Sequence, residues 1–153
     1  MNWDAVGAIG EVVGAFAVVC SLIYLGYQLR QNTRTAEVTA YQEMVRRIAE
    51  LRQVMLGSPE LAQALNKAMR EEEMSNDEKR RYEVYLHCML MNADAAFFQH
   101  QKGILPWERL IALTQPLVRH FGYTRRAHLV WSNRQDEYIP DFRQFLEKQL
   151  SKK

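Results

Sequence analysis

The sequence contains no lysine or arginine before Arg30. Asp4 and Glu11 are the only charged side chains in this part of the chain. A secretory signal peptide begins with a basic region, and AVVC at residues 17–20 is a poor lipoprotein cleavage site. The composition therefore argues against a cleaved signal, and we expect the segment to be retained.

Cysteine is equally scarce, since Cys20 and Cys88 are the only two. Cys20 lies in a long apolar run and Cys88 in a predicted helix, so we do not expect a bridge between them. The sequence offers no disulfide framework, which is typical of a protein domain in a reducing compartment.

Motifs of known chemistry are also missing. The sequence has no GxSxG, HExxH, P-loop or dinucleotide-binding pattern. Glu83 and His87 are spaced i, i+4 and Asp94 follows two turns later, but a metal site needs three or four ligands and no second ligand pair occurs. Cys88 is adjacent to His87, and neighbouring helix positions point about 100° apart, so they do not form a nucleophile–base pair. The sequence predicts a non-enzymatic protein without cofactor or metal.

What the sequence does contain is an apolar run from Ala5 to Leu29, in which Glu11 is the only charged side chain. As a helix it would be roughly 37 Å long, enough to cross a hydrocarbon core of about 30 Å. Trp3 precedes the run, and Tyr24 and Tyr27 lie near its far end, where aromatic rings settle at membrane interfaces. We predict a single transmembrane helix. The alternative is a buried core helix, but an all-round apolar helix of this length needs a larger protein to surround it.

The distribution of charge predicts the orientation of this helix. All 20 basic residues and 16 of the 18 acidic residues follow it, beginning with Arg30 and Arg34. The positive-inside rule then places the N-terminus outside and residues 31–153 in the cytoplasm. This gives two expected domains, an anchor at 1–30 and a cytoplasmic helical domain at 31–153. The scattered basic excess suits an anionic membrane face rather than nucleic acid.

Small residues lie on one face of the predicted anchor. Their 3-4-3-4 spacing is that of a helical stripe, and it includes a GxxxG pair; the residues are Gly7, Gly10, Gly14, Ala17 and Ser21. Such a stripe lets another helix approach closely. We predict that it mediates self-association or docking onto another membrane protein. The alternative is a glycine-rich span without a partner.

Glu11 lies about two turns into the apolar run, where a carboxylate costs on the order of 2.5–3.5 kcal/mol. Three interpretations are open. Protonated Glu11 hydrogen-bonds across an oligomer interface, or it reaches the outer headgroups together with Asp4, or it lines an ion or proton path.

The remainder reads as an all-α bundle of about five helices. The first continues the anchor, with Val38, Tyr41, Val45, Ile48, Leu51 and Met55 on its apolar face. Gly57, the Ser58-Pro59 pair and a Ser75/Glu78 capping box mark the following boundaries. The other predicted helices cover 59–70, 75–101 (closed by Gly103), a segment from Pro106 that breaks or restarts at Pro116, 125–132 and 140–150.

Two polar groups of residues lie in this part of the chain. Glu71-Glu72-Glu73 is expected to be a solvated turn. The second group is expected to form a basic patch on a solvated face, or to bind an anionic head group or phosphate; it comprises Arg119, His120, Arg125, Arg126 and His128.

The beginning of the chain resembles a family of uncharacterised bacterial proteins with one N-terminal membrane helix and a helical cytoplasmic domain. The similarity is carried by W-x-A-x-G-A-I-G-E-x-x-G-A (Trp3 to Ala15) and by Y-L-x-x-Q-L-R-x-N-T (Tyr24 to Thr33). A weaker similarity lies in Tyr138 to Arg143. The resemblance implies a location in the bacterial inner membrane and no catalytic residues.

Three functions fit these patterns. The first is a self-associating membrane protein whose cytoplasmic domain is an interaction or scaffold module. The second is a homo-oligomeric channel or proton-linked component that uses Glu11. The third is a membrane-tethered ligand sensor or enzyme with a pocket in the helical domain.

Overall fold

The computed structural model describes the backbone of residues 3–152, and the side chains of Glu11 and of residues 13–152. Residues 3–152 contain no strand, which confirms the all-α class. The helices are α1 (Trp3–Gly57), α2 (Pro59–Met69), α3 (Asn76–Gln101), α4 (Trp107–Phe121), α5 (Arg125–Arg134) and α6 (Pro140–Leu150), with a 3₁₀ turn at Gln135–Glu137. The described chain divides into two compact units, one ending at Val38 and the other beginning at Thr39.

Local sequence signals set the helix boundaries. The Ser58 hydroxyl accepts the backbone N–H of Leu61 at 3.2 Å, and Pro59 occupies the first turn of α2. At the start of α3 the predicted capping box is present, because Ser75 N–H donates to the Glu78 carboxylate at 2.8 Å and Glu78 N–H donates to the Ser75 hydroxyl at 3.2 Å. The Glu78 carboxylate also pairs with Lys67 at 2.7 Å, which links this cap to α2.

The end of α3 follows the prediction as well. Gly103 has a φ of 71°, a left-handed conformation that a side chain disfavours. Its N–H donates to the carbonyl of His100 at 2.9 Å, and the N–H of Ile104 donates to the carbonyl of Gln99 at 3.0 Å. These bonds satisfy carbonyls left open at the helix terminus.

In the unit that begins at Thr39, α3 packs against α2, α4 and α5. Fully covered leucines form the middle of the core, among them Leu86, Leu90 and Leu110. Near the C-terminal end of α3, aromatic rings pack on one another with centroid separations of 5.0–6.3 Å; they belong to Phe97, Trp131, Tyr138, Phe142 and Phe145.

The buried face of α1 in this unit differs from the expected one. Met44 is buried at 3% exposure, whereas Val45 is 43% exposed. Val38, the last residue of the other unit, is 51% exposed. The half-buried residues of the predicted apolar face lie on the same side of the helix as Met44; they are Tyr41, Ile48, Leu51 and Met55. Both Met44 and Val45 satisfy helical spacing from Tyr41, so periodicity alone could not choose between them.

The expected break at Pro116 is wrong, because α4 continues through it to Phe121. An interior proline costs a helix about 3 kcal/mol. Leu117, Val118 and Phe121 are all buried, and burying each such side chain contributes about 1.5–3 kcal/mol. Their burial depends on the helix continuing, so packing outweighs the local penalty.

Candidate functional sites

The apolar segment of α1 is the first candidate site. An 18-residue window within Val13–Gly57 has a mean hydropathy of 1.4, and none of it is buried. The exposed side chains include Phe16, Ile23 and Leu29, at 72%, 69% and 67%. Apolar surface this continuous marks a site for lipid or for a partner protein. By length and composition α1 can cross a membrane.

Part of the predicted association stripe lies within the described side chains. Gly14, Ala17 and Ser21 are exposed, and a Cβ built on Gly14 meets nothing within 4 Å. The Ser21 hydroxyl donates to the Ala17 carbonyl at 2.8 Å, so this polar group is satisfied within the helix. The surroundings of Gly7 and Gly10 lie outside the described residues. The visible part of the stripe is thus open to a neighbouring helix.

The residues predicted to lie at membrane interfaces are exposed where they are described. Tyr24 accepts a hydrogen bond from the Gln28 side chain at 2.9 Å, and Tyr27 is exposed. The side chain of Trp3 lies outside the described residues. Glu11 is exposed.

The arginines after the apolar segment fall into two classes. Arg46 and Arg47 pair with Glu43 at 2.8 and 3.1 Å, and these hydrogen bonds lower the pKa of Glu43 to about 2. Arg30 and Arg34 are exposed and form no ion pair with a described residue. The positive charge available to an anionic surface therefore lies at Arg30 and Arg34.

The helical domain contains a second candidate site that the sequence did not locate. A cavity of about 80 Å³ lies between the 44–55 segment of α1, α3 and α4. Methionines contribute from two of these helices, at Met44, Met55 and Met89, and Leu113 closes the side formed by α4. Thioether side chains adapt their shape to irregular ligands. Polar atoms are available in the lining from Arg52, Tyr85 and Asn92.

A shallow depression adjoins this cavity, and the two share Arg52 and Pro116. The depression is also lined by Arg119 and Tyr123. The side chains of Arg52 and Arg119 form no hydrogen bond or ion pair with any described residue. The mouth of the apolar cavity is therefore positively charged.

Beneath the depression lies a buried polar pair. Nε2 of His120 lies 3.1 Å from the Tyr82 hydroxyl, and both side chains are buried. Burial raises the pKa of Tyr82 to about 12 and lowers the pKa of His120 from its usual value. Tyr82 therefore keeps its proton and the imidazole favours its neutral form. The two groups share one hydrogen bond, whose donor is set by the tautomer of His120.

The expected basic patch around His120 is not formed as predicted. His120 belongs to the buried pair, and Nε2 of His128 lies 3.1 Å from the Phe121 carbonyl. The Arg126 side chain donates to the Glu72 carbonyl at 2.6 Å. Helical spacing could not reveal these partners. Of the expected group, Arg119 and the buried His120 line the depression, whereas Arg125, Arg126 and His128 do not.

The other titratable residues considered from the sequence do not converge on a ligand. The Tyr138 hydroxyl lies 3.2 Å from Nδ1 of His87. Burial raises the pKa of Asp94 above its usual value. Within the described part of the chain no three His, Cys, Asp or Glu side chains are grouped so that they could hold a metal ion.

Comparison of the chain with protein-family models, with curated proteins and with solved structures finds no match. The resemblance to bacterial single-pass membrane proteins therefore stays a prediction.

Proposed function

We propose that this chain is a single-pass protein of the bacterial inner membrane that self-associates through a stripe of small residues and presents a non-enzymatic helical interaction domain. The N-terminus lies outside and the domain in the cytoplasm. The proposed partners are membrane lipid, further copies of the chain and another membrane protein.

The exposure of the apolar part of α1 carries this proposal. A core helix of a soluble protein would be mostly buried, yet none of the most apolar window is. Exposing such side chains to water is unfavourable by about 25 cal/mol per Å² of apolar surface, and a bilayer removes that cost. The positive charges at Arg30 and Arg34 support the proposed orientation.

Self-association is supported by the stripe that includes Gly14, Ala17 and Ser21. In lipid, helices associate by close packing because hydrocarbon offers no hydrophobic drive. The face around Gly14 is open, and the Ser21 hydroxyl is already satisfied within the helix. A second α1 can therefore approach this face without leaving a polar group unpaired.

The test is the mass of the full-length protein in nanodiscs, measured beside the double variant Gly10→Leu/Gly14→Leu. We expect a discrete oligomer that dissociates in the double variant. The matched control is Gly26→Leu, since Gly26 is twelve residues beyond Gly14 and about 120° around the helix. A leucine there also meets open space but leaves the stripe intact. A monomer in all three samples would rule out self-association.

A second candidate function is a homo-oligomeric channel or proton-linked component. The observation that favours it is the exposed carboxylate of Glu11 on an apolar helix. In proteoliposomes a channel should produce a proton or cation leak that Glu11→Gln abolishes. A scaffold should show no leak, and Glu11→Gln should alter its assembly only mildly.

A further inference from the structure

The methionine-lined cavity and the cationic depression together have the two parts of an amphiphile-binding site. The cavity lies among Met44, Met89 and Leu113, and the depression among Arg52, Arg119 and Tyr123. All of these residues belong to the unit that begins at Thr39. The site is therefore independent of whether α1 self-associates.

The lining of the cavity favours an apolar chain. Ala93, Ala96 and Leu117 form its buried wall. Met55 and Met89 lie nearer the surface, since both are only half-buried, whereas Met44 is buried. An empty apolar cavity forfeits dispersion contacts that a hydrocarbon chain would restore. The cavity has a volume of about 80 Å³. The flexible methionine side chains can change rotamer and enlarge it to admit a longer hydrocarbon chain.

The charge at the mouth favours an anionic head group. Arg52 lines both the cavity and the depression, and Arg119 lines the depression. Neither guanidinium has a carboxylate partner among the described residues, whereas Arg46, Arg81 and Arg143 each have one at 2.6–2.9 Å. A guanidinium binds carboxylate and phosphate oxygens by charge-assisted hydrogen bonds.

We propose that this site binds a single-chain anionic amphiphile, with its hydrocarbon chain between Met44, Met89 and Leu113 and its carboxylate or phosphate head on Arg52 and Arg119. The helical domain then has a ligand of its own, in addition to any protein partner. The bound hydrocarbon chain would contact α1, α3 and α4, all within the unit that begins at Thr39.

The test is photolabelling of the full-length protein in nanodiscs of zwitterionic lipid. The probe is a medium-chain fatty acid with a diazirine near its chain end, used at a pH where the carboxylate is ionised. We expect labelled peptides from the 44–55 segment and from α3, in addition to those from 13–29, which contact lipid. The matched neutral probe is the fatty alcohol of the same length, which should label 13–29 equally and the cavity far less.

Variants at the mouth test the role of charge. Arg52→Gln should reduce cavity labelling by the fatty acid about three- to tenfold, as expected for one partly exposed charge-assisted hydrogen bond. Labelling of 13–29 is the internal standard. Arg80→Gln is the matched control, because Arg80 is also exposed and without a described ion pair but does not line the cavity. An unchanged melting temperature will show that each variant folds.

Three results would overturn the proposal. The first is labelling confined to 13–29, and the second is equal cavity labelling by acid and alcohol, which would indicate only a packing defect. The third is complete displacement of the fatty acid by inorganic phosphate, which would indicate a site for a free anion. Resistance to phosphate, together with loss of labelling in Arg52→Gln, would support an amphiphile.

Discussion

The hydroxyl of Tyr82 lies 3.1 Å from Nε2 of His120, although 38 residues separate the two in the chain. The contact joins α3 to the last turn of α4 within the core, and the rings of Tyr82 and Tyr85 lie within 5.8–6.1 Å of the imidazole ring. No acidic side chain is hydrogen-bonded to His120 among the described residues. Burial therefore dominates its titration and favours the neutral form.

This pair predicts a loss of stability on mild acidification. The pKa of His120 in the folded state is below its usual value of 6.5. Well above pH 6.5 the imidazole is neutral in both states, so it causes no pH dependence. As the pH falls below 6.5, the unfolded state binds a proton more readily, and the free energy of unfolding decreases by at most about 1.4 kcal/mol per pH unit.

Thermal unfolding of the full-length protein across this pH range will measure the effect. We expect His120→Gln to flatten the dependence, because a glutamine amide can donate or accept a hydrogen bond with the Tyr82 hydroxyl but does not titrate. His128→Gln is the control, since the His128 side chain is exposed. Equal slopes in wild type and His120→Gln would contradict the assignment.

Adjacent phenylalanines on α3 give a matched test of the core. Phe97 is 8% exposed and stacks on Phe145 with a centroid separation of 5.0 Å, whereas Phe98 is 53% exposed and contacts Lys102. Phe97→Ala should lower the free energy of unfolding by about 3–5 kcal/mol. Phe98→Ala should cost less than about 1 kcal/mol. Denaturant unfolding followed by the fluorescence of the buried Trp131 will measure both, and similar losses would show that the described core is wrong.

The helix boundaries were predictable because neighbouring residues determine them. Ser58 with Pro59, Ser75 with Glu78, and Gly103 each act within one turn of chain, and each is placed as the sequence predicted. The predicted helix break at Pro116 was wrong because the local preference of proline competes with the burial of side chains on either side of it. Which side chains are buried depends on other helices, and a sequence pattern does not contain that information.

The two candidate sites also differ in how far the sequence could predict them. The apolar segment is contiguous, so its exposed side chains could be anticipated from the sequence alone. The cavity brings together Met44, Met89 and Leu113 from three helices. The sequence allowed for a pocket in the helical domain but could not locate it, because the lining residues are far apart in the chain. Likewise, nothing in the spacing of His120 pointed to Tyr82 as its partner.

Glu71 makes a contact at the start of α5 that the sequence did not suggest. The acidic turn is exposed, as expected, but the Glu71 carboxylate accepts the backbone N–H of Arg125 at 2.6 Å, at the first residue of α5. This hydrogen bond lowers the pKa of Glu71. Glu71 also has a φ of 55°, which is unfavourable for a residue with a side chain.

Substitutions at Glu71 will separate the cap from the backbone strain. Both Glu71→Ala and Glu71→Gly remove the carboxylate that caps α5, but only glycine relieves the left-handed conformation. We expect both variants to melt at a lower temperature than Glu71→Gln, which keeps an acceptor oxygen, and alanine to melt lowest. Alanine equal to wild type would show that the Arg125 contact does not stabilise the fold.

The orientation of the chain can be tested with single cysteines. In a Cys20→Ser/Cys88→Ser background, Asn2→Cys and Asn133→Cys place one thiol on each side of the proposed membrane helix, and Asn133 is exposed on α5. A membrane-impermeant maleimide added to intact bacterial spheroplasts should label Asn2→Cys at once. It should label Asn133→Cys only after permeabilisation, because the proposed orientation, with Arg30 and Arg34 on the inner side, places the following domain in the cytoplasm. The reverse pattern would overturn the orientation. Labelling of neither site before permeabilisation, with release of the protein by alkaline carbonate, would show that α1 does not span the membrane and that its apolar surface is covered by another protein.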